Sequence, residues 1–152
     1  MKRLTALLIS LWLGMQIGFG YVVAPILFNV LENQSAGKIA GMLFHVSNGL
    51  GLLAWALAFL VCRSTGGYHS WDNHSSGGHT RKWIALLIAL LAINEFVFAP
   101  IIAALKAGDT HILVTWLGGS FGKWHGISSV LHLVEGLIGF GLCIKLLRLE
   151  TR

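Results

Sequence analysis

Five ionisable side chains stand inside long apolar runs of this 152-residue sequence: His45, Glu95, His125, His132 and Glu135. Uncharged polar residues accompany them, namely Gln16, Ser47, Asn48, Asn94, Ser128 and Ser129. Such groups are costly in an apolar medium, so each must line a wet site or find a partner. His125 and His132 are seven residues apart, which is about 20° around a helix. Ser128, Ser129, Glu135 and Gly136 fall on or near the same face. That face is polar and small, so it is expected to point inward. His132 and Glu135, three apart, can interact directly. Counting along the runs sets Glu95 at the depth of His132 and predicts a contact between them. On this reading Glu95, His125, His132 and Glu135 line one interior cavity, reached from the outer face between Pro25 and Pro100.

Three kinds of chemistry fit these residue types. The first is an intramembrane site, or wet pathway, for a proton, a metal ion or a small cation, drawn from His45, Asn94, Glu95, His125, Ser128, His132 and Glu135. The second is a b-type haem with two axial histidines, and the third a satisfied polar core that only fixes helix packing. His45, His125 and His132 are the candidate ligands for haem or a transition metal. No cofactor is expected by default. The sequence holds no GxSxG, HExxH or phosphate-binding glycine loop, so no enzymatic chemistry is named.

The elements that position these groups follow from composition. The chain is 55% hydrophobic and 11% charged, against about 25% charged in an ordinary soluble domain. Its apolar runs each reach the roughly 20 residues that cross a hydrocarbon core. They predict one all-α domain over 1–152, an integral membrane four-helix bundle with spans at about 4–31, 36–61, 83–105 and 122–147. The first run continues through YVVAPILF, beyond a signal-peptide core of about 7–15 residues, and is expected to be an uncleaved span. Lys2, Arg3, Arg63, Arg81, Lys82, Lys145, Arg148 and Arg152 gather on one side of these spans, and Lys38, Lys106 and Lys123 on the other. The positive-inside rule then sets both termini and the 62–82 loop in the cytoplasm of a bacterial inner membrane. Trp83, at one interface, and Trp116 and Trp124, at the other, suit aromatic belts.

The net charge of +5 is scattered at the ends of runs rather than in a stripe, which argues against nucleic-acid binding. The lipid bilayer is the expected partner. Cys62 and Cys143 read as small apolar residues. The 62–82 loop carries His69, His74 and His79 in a Gly- and Ser-rich linker; weak metal binding there would match no defined zinc spacing.

An internal repeat is visible. VVAPILF (22–28) is echoed by VFAPII (97–102), and GKIAG (37–41) by GKWHG (122–126). The second pairing also aligns Gly51 and Leu52 with Gly136 and Leu137, and Trp55 with Phe140. A helical hairpin used twice accounts for this, with Pro25, Pro100, Gly37, Gly41, Gly122 and Gly126 shaping the helices. The GxxxG strings, with Gly14 and Gly18, offer small faces that could pack the bundle or join two copies of the chain.

APILFNVLENQSAGKIAGMLFHV, NEFVFAPIIAALK and KWHGISSVLHLVEGL together resemble a bacterial four-helix membrane family of unknown function, related to eukaryotic transmembrane protein 205. The resemblance covers the chain apart from the His-rich loop. It implies a proline-terminated first helix (Pro25), an Asn-to-Pro segment on the third (Asn94, Pro100) and a His-Gly-x-Ser start on the fourth (His125, Gly126, Ser128). His132 stands where the family pattern carries Asn, which favours His125 as the shared residue. No activity comes with the resemblance. Reporter fusions after Ser64 and Arg152 should read cytoplasmic, and a fusion after Ala107 periplasmic; a periplasmic readout at Arg152 would overturn the topology.

Overall fold

The computed structural model describes residues 2–64, 77–109 and 111–150. Helix α1 (Lys2–Ile17) runs through a π-helical segment (Gly18–Val23) into α2 (Ala24–Val30). After a two-residue break comes α3 (Asn33–Ser64). Helix α4 (Gly77–Ile93) continues through a second π-helical segment (Asn94–Phe98) into α5 (Ala99–Ala107). A short helix α6 (Ile112–Leu117) precedes α7 (Phe121–Glu150). Among the described residues, four stretches are long and apolar enough to cross a membrane: Leu4–Val30, Asn33–Cys62, His79–Ala107 and Phe121–Lys145. At most 33% of the most apolar window of any of them is buried within the chain. Leu7, Leu11, Phe96, Val130 and Leu137 face outward, as lipid-facing positions should.

The spans agree with the sequence expectation to within a few residues, apart from two differences. The 62–82 loop is shorter at both ends, because α3 extends to Ser64 and α4 begins at Gly77, so His79, Arg81 and Lys82 are helical. Helices can run past the hydrocarbon without loss, since their backbone bonds are internal. His69 and His74 lie outside the described residues. The connection before α7 also holds α6, a helix too short to stand out as an apolar run.

Both π-helical segments end at an Ala-Pro pair, and the proline explains them. Proline has no N–H, and its ring collides with the carbonyl four residues back. In lipid no water can replace the lost bond. Widening the turn resolves the conflict: the Ala24 N–H bonds to the Phe19 carbonyl, and the Ala99 N–H to that of Asn94, each five residues back. Proline then falls in the first turn of α2 and of α5, where its missing donor costs nothing.

Helix α1 packs on α3, α3 on α4, α4 on α7, and α7 back on α1, closing a ring. One half of the interior is apolar, built on Ile9, Trp12, Ala54, Trp55, Ala58, Ile84, Leu87, Leu91 and Leu142. Trp12 is fully buried and meets Trp55 edge to face, with ring centroids 5.6 Å apart. Its indole lies in a slot between two glycines, Gly51 of α3 and Gly139 of α7. A Cβ on Gly51 would come within 2.3 Å of Trp12 Nε1, and one on Gly139 within 2.4 Å of Cζ3.

Lysines tie the ends of the bundle. Lys106 Nζ donates to the Gly37 carbonyl at 2.9 Å, and Lys145 Nζ to Thr80 Oγ1 at 2.6 Å. The glycines that pack the interior are mostly not those of the GxxxG strings. At Gly14, Gly18, Gly41 and Gly126 an added Cβ would meet no atom within 4 Å, and at Gly122 it would meet only Ser120 Oγ, at 3.9 Å. Gly37 alone among them closes on another span, through Lys106. Gly51→Ala and Gly139→Ala should each lower the unfolding free energy in detergent by about 1–3 kcal/mol, the cost of overpacking a filled core. Gly41→Ala should change it by less than about 0.5 kcal/mol, as at an open surface.

Candidate functional site

The other half of the interior is polar. Every span contributes: Gln16 from α1, Ser47 and Asn48 from α3, Asn94 and Glu95 from the second π-helical segment, and His132 and Glu135 from α7 are all buried. Asn94 and Glu95 are consecutive, so their side chains leave the helix in different directions. Glu95 turns to α3 and Asn94 to α7.

Two clusters result. In the first, the Glu95 carboxylate is hydrogen-bonded to His45 Nδ1 through Oε1 and accepts from Asn48 Nδ2 through Oε2 at 3.1 Å. The His45 side chain is 75% exposed on the bundle surface, while that of Glu95 is 7% exposed.

Gln16 is the hub of the second cluster. Its Nε2 donates to His132 Nδ1 at 3.0 Å, to the His132 carbonyl at 3.2 Å and to Glu135 Oε2 at 3.5 Å. Its Oε1 accepts from Ser47 Oγ at 3.3 Å. Asn94 Nδ2 donates to Glu135 Oε2 at 3.4 Å, and Ser128 Oγ to Asn94 Oδ1 at 2.7 Å. His132 Nε2 donates to the Gln16 carbonyl at 3.3 Å. These partners assign the tautomer: Nδ1 accepts, Nε2 carries the hydrogen, and the imidazole is neutral. His132 Nδ1 also lies 3.9 Å from Glu135 Oε2. The edge of Phe44 closes over the His132 ring, with centroids 4.9 Å apart.

His132 needs room, and Gly20 supplies it. A Cβ at Gly20 would lie 2.9 Å from His132 Nε2. Gly20 precedes Pro25 by five residues, as Glu95 precedes Pro100. The two π-helical segments thus hold equivalent positions, one filled by a carboxylate and the other left open for an imidazole.

The structure brings together most of the expected site residues: His45, Asn94, Glu95, Ser128, His132 and Glu135. Two expectations fail. Glu95 does not meet His132, because His45 and Asn48 take both its oxygens while His132 turns to Gln16. His125 does not join the layer. It is exposed and stacks on Phe121 at 5.4 Å, while its neighbour Trp124 takes the inward direction, donating to the Gly118 carbonyl at 3.2 Å. The three histidines weighed as metal or haem ligands thus have separate partners. Among the described residues no three His, Cys, Asp or Glu side chains group as a metal site would need. Gln16, Ser47 and Asn48 are more central than their uncharged side chains suggest. An amide alone in an apolar run, as Gln16 is, is the signal that marks them.

Four apolar helices around a buried polar layer define a multi-pass membrane protein. The sequence profile of a domain of unknown function (DUF4149) matches residues 7–111, and the chain belongs to that family. An uncharacterized protein of Aquifex aeolicus (strain VF5) is 30% identical over 149 residues, covering 96% of each chain. No solved structure matches the chain. Gly20→Ala should displace His132 and destabilise the fold by about 1–3 kcal/mol. The double variant Gly20→Ala/His132→Ala, whose imidazole is gone, should show no such additional loss over His132→Ala in a detergent unfolding cycle.

Proposed function

We propose that this chain is a protein of the bacterial inner membrane, with both termini cytoplasmic, whose polar layer is an intramembrane site for a proton, metal ion or small cation. The topology rests on the distribution of Lys and Arg, and the hairpin repeat on the paired Ala-Pro segments. The kinship with eukaryotic transmembrane protein 205 belongs to the same proposal and carries no activity. One observation carries the functional reading: two carboxyl groups, Glu95 and Glu135, are buried among polar side chains from all four spans.

Magnitudes favour this over a purely structural role. An ionised side chain at the centre of a bilayer costs about 2.5–3.5 kcal/mol, while an interhelical hydrogen bond contributes about 0.6 kcal/mol on average. Glu135 receives two long bonds, at 3.4 and 3.5 Å, which do not offset that cost, so its carboxyl must take up a proton or gain a cation. The donors that face one another are mainly carboxyl, amide and hydroxyl groups, chemistry that suits a proton or a hard cation better than a soft metal. The dense hydrogen bonding of the Gln16 cluster favours the second reading, a polar core that only sets helix register.

The two readings separate in a background lacking Cys62 and Cys143. For a functional site, a cysteine at Ser128 should react with a water-soluble thiol reagent, and Glu95→Gln should keep the wild-type unfolding midpoint. An unreactive cysteine, together with a loss of about 3–5 kcal/mol in Glu95→Gln, is the result of breaking a satisfied buried pair and would leave only the structural role.

A further inference from the structure

The two carboxyl groups are not equivalent. Glu95 is engaged on both oxygens, by the His45 imidazole on Oε1 and by the Asn48 amide on Oε2. Glu135 is wholly buried. It receives the Gln16 amide from α1 and the Asn94 amide from the second π-helical segment, both on Oε2. On its own helix His132 lies 3.9 Å away. That ring accepts from Gln16 at Nδ1 and donates to the Gln16 carbonyl at Nε2, so it is neutral. On α3, Ser47 is bonded to Gln16, and His45 and Asn48 to Glu95. Lys106 and Lys145 are held at the ends of the bundle. Among the described residues, then, no positive charge pairs with Glu135.

Bond lengths separate an acid from a carboxylate. A donor facing an ionised carboxylate closes to about 2.7–2.9 Å, because the charge assists the bond. The bonds from Asn94 and Gln16 to Glu135 are 3.4 and 3.5 Å long. Gln16 Nε2 has three acceptors in reach and lies nearer the neutral ones, His132 Nδ1 at 3.0 Å and the His132 carbonyl at 3.2 Å. An ionised Glu135 would draw that amide away from His132. The other oxygen, Oε1, has no hydrogen-bond partner among the described residues. It lacks one whether or not Glu135 carries a proton, so the two states differ chiefly by the charge. Burial then favours the neutral acid. Its hydrogen belongs on Oε1, since Oε2 faces two N–H donors.

We propose that Glu135 is the proton-binding group of the layer, resting as the neutral acid and exchanging its proton with water. On release the Oε1–H bond breaks, its electron pair stays on the carboxylate and the proton passes to solvent. This rests on the reading of the polar layer as an ion-handling site, and names the ion and the residue that takes it.

Infrared spectra of the full chain in mild detergent test it. At about pH 7, where an ordinary carboxyl group is ionised, wild type should show the carbonyl stretch of a protonated carboxylic acid. The band should shift in heavy water, remain in Glu95→Gln and vanish in Glu135→Gln. Should Glu135→Gln fail to fold, wild type and Glu95→Gln decide. Of the six acidic residues only Glu95 and Glu135 lie inside the four apolar stretches, so a band that survives Glu95→Gln belongs to Glu135. A band lost in Glu95→Gln makes Glu95 the acid and overturns the assignment. No band in wild type means that Glu135 is ionised; the proton assignment is then lost, while the ion-handling reading stands with a cation in its place. A band that neither shifts in heavy water nor responds to alkaline pH is a sealed acid, and both are lost.

Discussion

A proline in a membrane-spanning helix leaves a carbonyl without its donor, in a solvent that offers no replacement. Pro25 and Pro100 impose that constraint on the first and third spans, and both are met by a widened turn ending at the preceding alanine. The local repair has consequences across the bundle. It determines which residues face inward five positions earlier, where the third span presents Glu95 and the first presents Gly20. Glu95 then meets the second span, and the space over Gly20 receives His132 from the fourth. The register of the polar layer is thus tied to two backbone positions that never touch it.

The apolar half holds that register in place. Trp12 and Gln16 are four residues apart on α1, so they point the same way, one turn apart. Trp12 is gripped between Gly51 and Gly139, while Gln16 is held by Ser47 and His132. On α7, Gly139 and Glu135 repeat the four-residue spacing. The close fit of the indole against two backbones therefore determines how far α1 can slide against α3 and α7. Dispersion in that slot contributes the rigidity, and the hydrogen bonds above it decide which polar groups meet. Lys106 and Lys145 bind spans at the two ends, where water can solvate their remaining donors.

The spans are legible in the sequence because lipid demands length and apolarity, and both can be counted. The polar membership of the interior is legible for the same reason: Glu95, His132 and Glu135 are too costly to face lipid. Partner choice is not. Depth counting matches Glu95 with His132, yet depth says nothing about direction, and the consecutive side chains of Asn94 and Glu95 diverge toward different neighbours. His125 is misplaced by a related error. It shares a helical face with His132, but Trp124 fills the inward direction at that end and leaves His125 against Phe121. The GxxxG strings mislead because small residues permit close approach without requiring it. The glycines most tightly closed on another span, Gly20, Gly37, Gly51 and Gly139, are so because His132, Lys106 or Trp12 is opposite, which only the tertiary fold reveals.

The resulting layer separates two carboxyl groups by environment rather than by sequence. Each lies beside an imidazole, but only one imidazole is engaged with its carboxylate. His45 uses Nδ1 to bind Glu95 and presents the rest of its ring at the bundle surface. His132 uses both nitrogens on α1, through the Gln16 side chain and the Gln16 carbonyl, and is a structural group that holds the first span against the fourth. The same residue type thereby lies at the bundle surface in one cluster and inside the bundle in the other. Gln16 makes this possible. Its amide donates to His132 and leaves that ring neutral, and its own oxygen is occupied by Ser47. Glu135 faces the amides of Gln16 and Asn94, and among the described residues its Oε1 has no hydrogen-bond partner. An unpaired buried acceptor costs about 1–3 kcal/mol, so the layer orders Gln16, Asn94 and His132 around Glu135 without satisfying every atom of its carboxyl group.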